Sequence, residues 1–335
     1  MTKGLVSIVM PVKNANQYLE ECIDSILKQS ERNWELIAVN DHSTDDSFQM
    51  LKKYAEKDNR VRTLNSDGEG IIDALKTAYK ASLGEFIHRM DADDIMPEIK
   101  LAELKKILIA AGAGHVATGK VKYIAKDGIG EGYLKYEQWL NHLCDEGNHW
   151  EKIYKECVIP SPCWLVHRED FDRCDGFNPD RYPEDYDLVF RFREQKLKVV
   201  SSGECLHIWR DYSQRTSRNH NHYKQNYFFE LKLHYFLKLE RDSKRPLVIW
   251  GAGQKGKIMA KILNEQEQDF TWVSNNPNKN GKEIYQQIMQ SFEKILAINN
   301  PQVIVTVAQR NSKDEIVDFL EARKLKQYKD FWFFR

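Results

Sequence analysis

The stretch LVSIVMPVKNANQYLEECIDSILKQS, residues 5–30, sets a short apolar, β-branched run against a segment in which Leu19, Cys22, Ile23, Ile26 and Leu27 recur at helical spacing. Pro11 closes the run, so the stretch reads as strand, loop, helix. The pattern repeats: WELIAVND (34–41) is a second apolar run ending in Asp41, HSTDDS (42–47) offers turn and N-cap residues, and FQMLKKYAEK (48–57) follows as a helix. RVRTLN (60–65), GIIDALKTAYKAS (70–82) and EFIHRM (85–90) continue as strand, helix, strand. Near-continuous apolar strands separated by helices predict an α/β fold with a mostly parallel sheet covered on both faces. In such sheets ligands bind at the carboxyl ends of the strands.

The chain has 335 residues, 41% hydrophobic and 30% charged, which is enough for two domains with water-facing surfaces. Lys plus Arg and Asp plus Glu balance at 50 each, so no global field favours nucleic acid or an anionic membrane. An anion would have to be bound locally. The N-terminal apolar run is broken by Pro11 and Lys13, and no window approaches the length of a membrane span, so the expectation is a cytoplasmic protein without a transmembrane segment. The six cysteines form no CxxC pair, which points to reduced, packed thiols rather than zinc or disulfides.

IHRMDADDIMPE, residues 87–98, puts Asp91, Asp93, Asp94 and Glu98 directly behind an apolar strand. Asn14, Asp41, Asp91 and Asp93 all follow strand ends and open onto one crevice if the sheet is parallel. Asp94 or Asp93 taken alone is accounted for as a cap on the helix expected around Leu101 to Leu108. The cluster offers more oxygens than a cap needs, and hard oxygens suit Mn²⁺ or Mg²⁺ carrying phosphate oxygens, not zinc.

These motifs in this order, from SIVMPVKNANQYLEECIDSILKQSERNWELIAVNDHSTDDS through GEGIIDALKTAYKASLGEFIHRMDADD, resemble a family-2 glycosyltransferase with the GT-A fold over roughly residues 4 to 215. The resemblance implies that Pro11, Val12, Asn14 and Asp41 hold the nucleotide of a sugar donor. It also implies that Asp91 and Asp93 form the DxD motif, which binds a divalent metal and the diphosphate. Where VDDGSTD is usual this chain has VNDHSTD, so Asn40 and His42 change the detail of base contact. His207 stands where similar enzymes place a third metal ligand.

RYPEDYDLVFRFREQ (181–195) sets Glu184, Asp185 and Asp187 at the first turn of an amphipathic helix. Acids favour helix N-termini through the macrodipole, so spacing alone leaves a structural role open. The resemblance implies that this ED pair supplies the catalytic base, with Asp185 as base and Glu184 and Asp187 as neighbours that orient it or the acceptor. Residues 115 to 183 are expected to carry the acceptor, and Trp139, Trp150 and Trp164 are candidates either for stacking on sugar rings or for the core. CLHIWRDYSQRTSRNHNHYK (205–224) brings Arg210, Arg215, Arg218 and Lys224 with three histidines, which reads as a solvated connector or as a segment closing on the diphosphate.

LVIWGAGQKGKIMAKIL (247–263) starts afresh as strand, GxGxxG (Gly251, Gly253, Gly256), helix. It reads as a smaller parallel α/β unit resembling the Rossmann-like appendages of other bacterial family-2 enzymes, with NAD(P) as its candidate cofactor. The acid that would hold an NAD ribose is replaced by Ser274, Asn275 and Asn276. The terminal FWFF is expected to be a buried strand. The expected organisation is a GT-A domain over 1–220, a helical linker over 221–242 and a Rossmann-like domain over 243–335. The expected function is that of a metal-dependent, inverting, hexosyltransferase-type enzyme. It would move a sugar from a nucleotide donor, UDP-sugar first, to a glycan or lipid-linked acceptor in cell-surface polysaccharide synthesis, in the cytoplasm or at the inner membrane face as a peripheral protein. A non-catalytic nucleotide-sugar binding or scaffold protein and an NAD(P)-dependent oxidoreductase are the alternatives.

Overall fold

The computed structural model describes every residue except 127, 180, 214, 216–227, 308–311 and 335. Arg218, Lys224, His220 and His222 therefore lie outside the described residues. The chain forms two compact units, Met1–Trp150 with Cys157–Asn219, and Glu151–Glu156 with His220–Arg335.

The first unit is built on strands β1 (Thr2–Val12), β2 (Trp34–Asn40), β3 (Val61–Asn65), β4 (Gly84–Arg89), β5 (His115–Ile124), β6 (Trp164–His167) and β7 (Lys198–Arg210). They form one sheet in the order β3-β2-β1-β4-β6-β5-β7. β3, β2, β1 and β4 run parallel, β6 is antiparallel to both its neighbours, and β5 pairs parallel with β7. The helices are α1 (Asn16–Leu27), α2 (Ser47–Lys57), α3 (Ile71–Ala81), α4 (Lys100–Ala111), α5 (Glu131–Glu146), α6 (Arg168–Arg173) and α7 (Glu184–Glu194). Every residue of β2 is buried, as expected of a strand covered on both faces, and α1 buries Leu19, Cys22, Ile23 and Ile26 against the sheet. A polar clasp sets the start of β4. Ser7 Oγ donates to Glu35 Oε1 at 2.6 Å and accepts from the Gly84 amide at 2.7 Å. A Cβ on Gly84 would press on that hydroxyl and on the Leu5 carbonyl, so only glycine fits.

The second unit carries α8 (Phe228–Leu239), β8 (Leu247–Trp250), α9 (Gln254–Glu265), β9 (Thr271–Ser274), the hairpin β10 (Glu283–Ile284) with β11 (Gln287–Ile288), β12 (Gln290–Ser291), β13 (Gln302–Val305), α10 (Ser312–Glu321) and β14 (Phe331–Phe333). Its sheet is parallel throughout in the order β12-β9-β8-β13-β14. SFEKILAI forms a 3-10 turn over Phe292–Ala297. The terminal FWFF is buried, and Phe334 stacks on Tyr154 at 5.0 Å. Among the described residues no helix is long and apolar enough to cross a membrane.

Candidate active site

The carboxyl ends of β1 and β2 meet at a knot of short polar side chains. Asn14 takes a left-handed backbone (φ 49°), which asparagine tolerates better than most residues, and its Oδ1 accepts from the Thr44 amide at 2.8 Å. Asp41 is buried, with Lys13 Nζ at 3.1 Å on one oxygen and the Gly70 amide donating at 2.9 Å to the other. Pro11 lies opposite Val39 and Val12 opposite Asn40, so the four expected nucleotide residues share one sheet edge. Asn40 accepts from the Ser43 amide and donates to Asn65 at 3.0 Å, and the His42 ring lies 3.1 Å from the Gly68 carbonyl. These two unusual residues therefore tie β2 to β3 and to the Gly68–Gly70 turn. That turn was missed from sequence, although Gly70 (φ 92°) is a glycine directly before a helix.

The acidic cluster follows β4 and does not cap α4: the N-cap is Ile99, with no side-chain hydrogen bond. Asp91 Oδ1 is 3.0 Å from Arg89 Nε, and Asp93 Oδ2 accepts from the Tyr212 hydroxyl at 2.9 Å. Asp94 is fully buried, accepting from the Arg210 amide at 2.9 Å and lying 3.0 Å from His207 Nε2, with Arg215 at 3.9 Å. Burial and the charges of Asp94 and Asp91 push Asp93 up to about 6. Asp94 rises to about 7, mainly through burial. Burial also opposes ionisation of Asp91, but the Arg89 and Arg215 guanidiniums outweigh it and hold this carboxyl below the ordinary range.

Both ring nitrogens of His207 are engaged by the protein. Burial and the Lys100 ammonium hold its pKa well below the usual value, so the ring is neutral, donating from Nε2 to Asp94 and accepting at Nδ1 from Lys100 Nζ at 2.9 Å. Lys100, fully buried, also donates to the Pro162 carbonyl at 2.6 Å. Arg210 reaches the Asp93 carbonyl at 3.0 Å and Glu21 at 2.5 Å. Both described arginines of the 205–224 segment thus pack on the acidic loop.

The start of α7 supplies the other carboxylates. Asp187 is fully buried and bound by Arg191 Nε at 2.7 Å, while Arg191 also donates to the Cys174 and Gly176 carbonyls, so this pair fixes the chain before α7. Glu184 Oε1 lies 3.2 Å from Arg89 Nη1, and its Oε2 is buried without a hydrogen-bond partner among the described residues. Asp185 is partly buried and accepts from the Tyr186 amide at 2.8 Å. Burial first, then the neighbouring Glu184 charge, push it up to about 7. Arg89 joins this group to Asp91, and nothing in the sequence marks it. Of the tryptophans, Trp164 is core, stacked on Phe171, whereas Trp139 is half-buried against Tyr136.

Among the described residues no three His, Cys, Asp or Glu side chains form a metal cage. Asp91 and Asp93 are hard oxygen donors, the type that Mg²⁺ or Mn²⁺ takes alongside phosphate oxygens.

The described residues of the second unit give NAD(P) no support beyond the glycine motif itself. A Cβ on Gly256 would run into the Gly251 carbonyl, and one on Gly251 into Thr306, so these glycines serve close helix-to-strand packing. Gly253 is the N-cap of α9. The Gly251 carbonyl accepts from Trp272 Nε1 at 2.8 Å, and Asn275, after β9, is held by Trp250 Nε1. Ser274 and Asn276 accept from nearby amides, so no carboxylate is offered to a ribose there.

A mostly parallel α/β sheet with acids at its carboxyl ends is the arrangement of the GT-A fold. The same architecture is found in Staphylococcus aureus TarS 1–349 in complex with UDP-GlcNAc, at TM-score 0.55 and 17% identity over 78% of this chain and 72% of that one. The mannosyltransferase PcManGT from Pyrobaculum calidifontis, in complex with GDP-Man and Mn²⁺, aligns at TM-score 0.51 and 18% identity over 77% and 69%. Residues 7–174 match the model of glycosyl transferase family 2, and the chain belongs to that family. The uncharacterized glycosyltransferase EpsJ of Bacillus subtilis (strain 168) is 40% identical over 216 residues, 62% of this chain and 61% of that one.

Proposed function

We propose that this glycosyltransferase is an inverting, hexosyltransferase-type enzyme that moves a sugar from a nucleotide-diphosphate donor, UDP-sugar first, to a hydroxyl of a glycan or lipid-linked acceptor in cell-surface polysaccharide synthesis. The observation that carries this reading is that Arg89 joins Asp91 to Glu184, next to Asp185, across 95 residues of sequence. In a single displacement the acceptor oxygen bonds to the sugar C1 as the bond from C1 to the diphosphate oxygen breaks, its electron pair leaving with the nucleotide. Asp185, at about 7, is matched to taking the acceptor proton near neutral pH. Asp41, Asn14, Pro11 and Val12 grip the nucleotide, and Asp91 and Asp93 face the diphosphate. A divalent ion on these two carboxylates would supply charge stabilisation to the leaving group. His207 could join it only by giving up Asp94 or Lys100.

The nucleotide sugars named with TarS and PcManGT, and the Mn²⁺ of the latter, support the donor and metal classes. The second unit is read as a Rossmann-like appendage, and the protein as cytoplasmic with peripheral access to the inner membrane face. Asp185→Asn tests the central claim: donor and metal affinity should stay near wild type while transfer, or slow donor hydrolysis, falls about a hundredfold or more. Near-full turnover in that variant would refute Asp185 as the base.

A further inference from the structure

Arg89 ends β4, and its side chain is 6% exposed. Its Nε lies 3.0 Å from Asp91 Oδ1 and its Nη1 3.2 Å from Glu184 Oε1, so one planar fork holds carboxylates from two motifs. Glu184 is equally buried, at 5%, and its other oxygen has no partner among the described residues. A buried carboxylate in that state depends on its guanidinium for both charge and direction. Neither the nucleotide grip nor the proton transfer described above uses Arg89.

We propose that Arg89 is a positioning residue that ties the loop facing the donor diphosphate to the helix start carrying the base, so that one side chain sets the alignment of donor and acceptor. The proposal rests on the glycosyl-transfer reading. An ammonium keeps the charge but cannot span both carboxylates with fixed direction, so lysine separates positioning from plain charge compensation. Misplacement of about 1 Å costs on the order of a hundredfold in rate, which sets the scale of the effect.

Arg89→Lys, Arg89→Met, Glu184→Gln and the double variant Arg89→Met with Glu184→Gln are compared with wild type and Asp185→Asn. The measurements are hydrolysis of UDP-GlcNAc and UDP-glucose with Mn²⁺, UDP binding by calorimetry, and folded fraction by circular dichroism. Because Arg89→Met strands a buried carboxylate, the double variant and Arg89→Lys keep the test informative when that single variant fails to fold. Arg89→Lys should lower kcat about tenfold or more while donor KM moves less than about threefold. The double variant should be no slower than the worse single variant within about threefold, since both act through one contact. Wild-type kcat in Arg89→Lys, losses that multiply in the double variant, or losses that merely track folded fraction would each overturn the positioning role. Undiminished hydrolysis in Asp185→Asn would refute Asp185 as the base and with it the alignment role of Arg89, whereas no UDP binding by wild type would instead sink the glycosyl-transfer reading, and the proposal with it.

Discussion

Asp185→Asn should make the protein more stable while disabling it. The folded protein raises this carboxyl from 3.8 to about 7, with burial the largest cause and the Glu184 charge next. Below about pH 4 the group is neutral in both folded and unfolded chains and contributes nothing to the difference. Between about 4 and 7 the unfolded chain ionises while the folded one resists, so wild-type stability declines as pH rises; above 7 the loss is complete. A shift of about 3 units at about 1.36 kcal/mol each sets a ceiling near 4 kcal/mol, and water at this partly exposed site halves it to about 2. Asparagine keeps the shape and never ionises, so it should recover that amount at pH 8, a rise in Tm of about 4 to 8 °C. Thermal unfolding of both proteins from pH 4 to 8.5 is the assay. The Tm gap should open between pH 4 and 7 and stay flat above. A gap independent of pH, or a variant less stable than wild type at pH 8, would refute the claim that burial and Glu184 hold this acid near neutrality.

Donor turnover should rise about fivefold from pH 6 to 7, about twofold more by pH 8 and level off above, because only ionised Asp185 accepts the proton; a rate–pH profile for a UDP-sugar checks this. Asp187→Ala should destabilise by about 3 kcal/mol by stranding the buried Arg191, yet leave UDP affinity of the folded protein within about threefold, as chemical denaturation and calorimetry would show. Asp93→Asn should remove the Mn²⁺-dependent part of the thermal stabilisation given by UDP, and an unchanged increment would argue against a diphosphate-bound metal at this loop. Gly256→Ala, which drives a Cβ into the Gly251 carbonyl, should cost about 1 to 3 kcal/mol in the second unit; enhanced proteolysis there with UDP binding intact is the expected result.

The parallel part of the fold was legible because β1 and β2 contain nearly unbroken apolar runs, each followed by an amphipathic helix, and the strand–helix alternation continues through β3, α3 and β4; strand ends in such a sheet share one edge. That rule places Asn14, Asp41, Asp91 and Asp93 at neighbouring strand ends, whereas Pro11 and Val12 were singled out only by the resemblance. It does not reach residues whose meaning lies in a distant partner. Lys100 opens an ordinary-looking amphipathic helix, and lysine is almost never fully buried, so its place behind His207 leaves no local signal. The six-residue segment Glu151–Glu156 looks like the tail of a helical stretch, yet it belongs to the second unit, where Tyr154 stacks on Phe334.

Arg89 is the sharpest case. Two residues before an aspartate, it reads as the charged tip of a strand, and its second carboxylate lies 95 residues further along. Sequence can show that two acidic motifs exist, because each is local; what sets them in mutual register is a contact between them, which only the folded chain displays. A buried arginine between two carboxylates is costly to desolvate and contributes little net stability compared with a well-packed apolar replacement. Its place at the junction of the two motifs is therefore better explained by the direction it imposes on Asp91 and Glu184 than by the stability it adds.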